Sequence, residues 1–154
     1  MRRNVMAMTL TLMLTLTLGA LVAGCRATER RPQFTGDFQV AALAEAPNDL
    51  QAHFERTKAL PGLTVLERDG RTYLMLMAGR MEEPGLKVEV LEVKKPQQGS
   101  NLAQLTAVLR PGGTGQYPYA LLVLEGAEGL DFKARLATRG ERVLELIGMP
   151  LDAR

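Results

Sequence analysis

Leu63-Thr64-Val65-Leu66-Glu67-Arg68-Asp69-Gly70-Arg71-Thr72-Tyr73-Leu74-Met75-Leu76-Met77-Ala78 is the stretch that decides the fold. Two apolar runs are separated by four residues with Asp-Gly at their centre, a strong signal for a β-hairpin. The pattern predicts strands over 63–67 and 72–78. The second run, Tyr73 to Ala78, is apolar at every position, so a strand there would have no polar face to give to water. It therefore reads as a central strand covered on both sides.

Working outward, further strands follow downstream. Residues 86–95 alternate at Leu86, Val88 and Val90 and then change phase to Leu91 and Val93. Such a change of phase predicts a β-bulge near Val90-Leu91. Strands are expected over 102–110 and 117–125, joined through Pro111-Gly112-Gly113-Thr114-Gly115 as a flexible hairpin connection. Residues 131–138 alternate cleanly, with Phe132, Ala134 and Leu136 on one face and Asp131, Lys133 and Arg135 on the other. Arg139-Gly140 then turns the chain into 143–147, a second hairpin. Upstream, Ala46-Pro47-Asn48-Asp49 opens the one helix expected to exceed two turns. Asn48 is placed to cap it, Gln51 to complete a capping box, and Leu50 and Phe54 to share its buried face. Pro61-Gly62 is expected to stop it. The fold class is α+β and mainly antiparallel: one N-terminal helix and a twisted sheet forming a small sandwich or partial barrel. Residues 35–154 make a single domain of modest core.

The chain begins Met1-Arg2-Arg3-Asn4, and no charge interrupts residues 5–23. About 20 apolar residues suffice to span a bilayer. Here, however, Thr9, Thr11, Thr15 and Thr17 dilute the run, and no basic stop-transfer block adjoins it beyond the single Arg26. A basic start, a short apolar core and a small-residue exit make residues 1–24 a signal peptide. Its end, Leu21-Val22-Ala23-Gly24-Cys25, resembles the lipobox of bacterial lipoproteins. That resemblance implies cleavage between Gly24 and Cys25, a diacylated thioether on Cys25, and attachment to the extracytoplasmic face of a membrane in the bacterial cell envelope. Several acyl chains on one residue make a stable anchor, because each buried methylene adds about 0.8 kcal/mol. Residues 25–34 then read as the lipidated cysteine and a polar tether. Cys25 is the only cysteine, so the domain has no thiol left for a disulfide.

Loss of Arg2 and Arg3 with the leader takes Lys+Arg from 19 to 17, equal to the 17 Asp+Glu, so the mature chain is formally neutral. A neutral chain without clustered basic residues is not built for nucleic acid. Motifs of catalysis are also missing. His53 is the only histidine, and Ser100, the only serine, stands in Gln97-Gln98-Gly99-Ser100-Asn101 without an elbow motif. One histidine and no free thiol leave no zinc set. Glu82, Glu83, Glu89 and Glu92 are interspersed with Lys87, Lys94 and Lys95, the pattern of solvated strand faces. Gly112 to Gly115 has no P-loop lysine and no following helix. No enzyme, metal or cofactor is expected. Tyr117-Pro118-Tyr119 is the candidate partner-binding element: the proline favours a strand start or edge, and the tyrosines, two apart, share a face.

The order of these segments resembles a known family. Tyr73-Leu74-Met75-Leu76-Met77-Ala78-Gly79-Arg80, Gly85-Leu86-Lys87-Val88-Glu89-Val90, residues 105–111 and Tyr117-Pro118-Tyr119-Ala120-Leu121-Leu122-Val123-Leu124 together look like the PrcB C-terminal domain. Glu83-Pro84-Gly85-Leu86 departs from the Thr-Gly-Gly-Tyr usual in that family, and the Tyr-Pro-Tyr element is retained. The resemblance covers 73–126 and implies no catalytic residue. It implies a lipoprotein subunit that binds and stabilises a secreted or surface protease. The alternative from a different class is a small-molecule or lipid carrier, with an apolar cavity inside the sheet.

Overall fold

The computed structural model describes residues 33–151 except 139 and 141. Strand β1 (Gln39–Ala41) leads through a short 3-10 turn at Leu43–Glu45 to helix α1 (Asn48–Thr57). Seven more strands follow: β2 (Pro61–Arg68), β3 (Arg71–Ala78), β4 (Leu86–Lys94), β5 (Leu102–Pro111), β6 (Tyr119–Glu125), β7 (Asp131–Ala137) and β8 (Val143–Pro150). They form one sheet in the order β1-β6-β3-β2-β8-β7-β5-β4. It is mixed: β2 with β8 and β5 with β7 run parallel, and the other neighbours are antiparallel.

The hairpin at the centre of the sequence forms as expected. Arg68 pairs with Arg71, and Asp69 and Gly70 take φ of 52° and 73°. Positive φ at both central residues is the type I′ turn, whose twist suits the flanking strands. β3 lies between β2 and β6 and is buried over its last five residues. Leu74, Leu76 and Ala78 point into one apolar cluster, while Met75 and Met77 point into another. The bulge is also present, with the β4–β5 register shifting between Val90 and Glu92.

The sheet curls into a half-barrel. Its concave side is filled by side chains from both ends of the strand order, among them Leu76, Leu122, Leu105, Leu136 and Phe132. A sandwich would require two separate sheets, and the last strand prevents that separation. β8 pairs with β7 through residues 143–147 and with β2 through 148–150, so it carries the hydrogen bonding round a corner. The corner falls at Gly148. A Cβ there would stand 2.8 Å from Val65 Cγ2 and 3.1 Å from the Phe132 carbonyl oxygen. Only glycine lets the two neighbouring strands close on β8 at that point.

Several local expectations are corrected by the packing. β5 and β6 are not neighbours, so Gly112 to Gly115 is a crossing connection and not a hairpin loop. Gly112 and Gly113 donate to the Gly85 carbonyl at 3.0 Å, and Gly85 donates to that of Gly115 at 3.1 Å. A Cβ on Gly113 would lie 2.0 Å from the Leu86 oxygen, so the approach requires glycine. Asn48 does not cap α1: it is the first helical residue, after Pro47, and no side-chain cap bond forms. The Gln51 amide instead donates to the Ala46 carbonyl at 2.7 Å. Pro61 and Gly62 belong to β2, where proline at the first strand position costs no ladder bond. Phe34, the last residue of the expected tether, is buried in the concave cluster, so the domain begins at least one residue earlier than expected. The rest of that tether described here is residue 33 alone.

Candidate functional site

Helix α1 covers the convex side of β6, β3 and β2. Leu50 and Phe54, on one face of the helix, pack with Leu66, Met75, Met77 and Leu121. Fully burying a side chain of this size contributes about 1.5–3 kcal/mol. Polar ties hold the start and the middle of the helix to β2. The Arg68 guanidinium donates to both carboxylate oxygens of Asp49, at 3.0 and 2.6 Å. His53 Nε2 shares a hydrogen bond of 3.0 Å with Thr64 Oγ1, and Thr64 is buried. Burial, with Arg56 close by on the same helix, holds the imidazole pKa below its ordinary value. His53 is thus a link between helix and sheet.

Tyr117, Pro118 and Tyr119 sit at the far end of the same contact. β6 starts at Tyr119, two residues later than the apolar pattern suggests, and the buried Pro118 accepts the Ala78 N–H through its carbonyl at 3.0 Å. The Tyr119 ring lies 4.8 Å from that of Phe54, and Lys58 Nζ lies 5.2 Å from the centre of the Tyr117 ring. Tyr119 thus packs with the helix, while Tyr117, before the strand, lies beneath Lys58 at the helix end. The Tyr119 ring is half-buried beneath α1.

The remaining residues singled out in the sequence are dispersed. Ser100 Oγ accepts the Leu102 N–H at 3.0 Å, the bond of a local turn. Glu89 pairs with Arg110 at 3.4 Å and Glu92 with Lys94 at 3.5 Å, all on exposed strand faces. Among the described residues no three His, Cys, Asp or Glu side chains gather as a metal site. Nor is any helix among them long and apolar enough to cross a membrane. Gly24 and Cys25 lie outside the described residues.

The surface that does stand out belongs to β8. Val143, Glu145, Ile147 and Met149 share its convex face, and Ile147 and Met149 are 72% and 66% exposed. Met149 lies opposite Thr64, the residue tied to His53, so this row runs immediately beside the strip that α1 covers. On its other flank Lys133 lies opposite Ile147 and bonds Glu145 at 2.8 Å. That bond and the Lys133 charge lower the Glu145 pKa. No family model, curated protein or solved structure matches the chain. The PrcB resemblance over 73–126 therefore stands on its short motifs alone.

The β8 row was not evident from the sequence, although a signal for it exists. Val143-Leu144-Glu145-Leu146-Ile147 is apolar on both sides of its alternation except at Glu145, much as β3 is. In β3 the second apolar face is explained by a covering helix. In β8 nothing in the described residues covers it.

Proposed function

We propose that this chain is a non-catalytic lipoprotein of the bacterial envelope, anchored through an acylated Cys25 and binding a protein partner through the convex face of β8. The observation that carries the binding half is the exposed apolar row of Val143, Ile147 and Met149. Ile147 and Met149 are neighbours on that face, with Val143 beyond Glu145, and exposed apolar surface rimmed by polar residues marks interaction sites. The anchoring half rests on the leader and on Val22-Ala23-Gly24-Cys25. The PrcB resemblance adds a class of partner, a secreted or surface protease that the domain would assemble or stabilise. A carrier would need space inside the sheet. Leu74, Leu76, Leu105, Leu122 and Phe132 occupy the concave side, which favours an outer surface over an inner cavity.

The test uses the full chain in a bacterial host. A fatty-acid label should enter the wild-type protein and be lost in Cys25→Ala; label retained in that variant would remove the anchor. The double variant Ile147→Lys with Met149→Lys should keep the wild-type melting temperature yet leave the higher-mass species seen on native electrophoresis of detergent-extracted envelopes. Unchanged migration in that species would remove the β8 surface from the reading.

A further inference from the structure

We draw no further inference here: the strongest candidate, the cleft of ≈ 420 Å³ where β8 runs out between β2 and β7, lined by Val65, Leu130, Phe132, Gly148 and Leu151, is an apolar groove for which nothing in the structure shows an occupant.

Discussion

Strands β6, β3 and β2 present apolar side chains to both faces of the sheet, whereas β7, β5 and β4 reserve them mainly for the concave one. On the convex side of the second group, Glu92, Thr106 and Arg135 form a continuous row across three strands, which Glu145 extends onto β8. Such charges are screened by water, and each exposed pair contributes at most about 1 kcal/mol. The first group cannot be left bare in this way, and α1 covers it. β8 lies on the boundary. Its convex face is apolar at Val143, Ile147 and Met149 and charged at Glu145, and it has the open surroundings of the second group, which is why the proposed partner is placed there.

The sharpest way to break this comparison is to place the same charge on both sides of the boundary. Met75 is fully buried beneath α1, and Met75→Lys would leave an unpaired charge there. The expected cost is about 3–5 kcal/mol, enough to abolish cooperative unfolding in a domain of marginal stability. Ile147→Lys should change the urea midpoint by no more than about 0.5 kcal/mol equivalent, as surface substitutions do. Equal losses in the two variants would mean that β8 is covered after all.

A smaller effect is expected at the corner that joins the two groups. In Gly148→Val the new side chain meets Val65 and the Phe132 backbone, and overpacking of this kind costs about 1–3 kcal/mol. Hydrogen exchange should then quicken in β8 and its neighbours β2 and β7 before it quickens in β3. Uniform quickening throughout the sheet would show that the corner is not a separate joint.

The smallest effect concerns the link between α1 and β2. The folded pKa of His53 is lowered, so the folded state takes up fewer protons than the unfolded state as pH falls below about 6.5. The stabilisation is present above that value and is lost as pH drops through the folded pKa. Urea unfolding at pH 8 and pH 5.5 should therefore show a larger acid loss in the wild type than in His53→Gln. An equal loss in both would assign the acid sensitivity to other groups.

How much of this was legible in the sequence depends on whether the cause was local. The β2–β3 hairpin could be read because Asp69 and Gly70 themselves supply the turn, and the bulge because Val90 and Leu91 break the alternation. β1 could not: Gln39-Val40-Ala41 has no periodic pattern, and it becomes a strand by pairing with Leu121 to Val123 of β6. The parallel neighbours of β2 and β5 were equally hidden, since they depend on where the chain returns and not on any one segment. Tyr117 and Tyr119 were expected to share a face from their spacing, but the strand begins only at Tyr119. That α1 would cover Tyr119 was a matter of tertiary packing. For the same reason β3 and β8 look alike as sequences, and only the placement of the helix distinguishes a core strand from an open one.

The most direct test of the central claim places a photo-crosslinking amino acid at position 147 or at position 106 of the full chain in intact envelopes. Both positions are convex, one on β8 beside Met149 and the other on β5 between Glu92 and Arg135. Illumination should give a discrete adduct from 147 and none from 106, with Met149→Lys suppressing the first. Adducts from both positions, or from 106 alone, would contradict β8 as the binding surface.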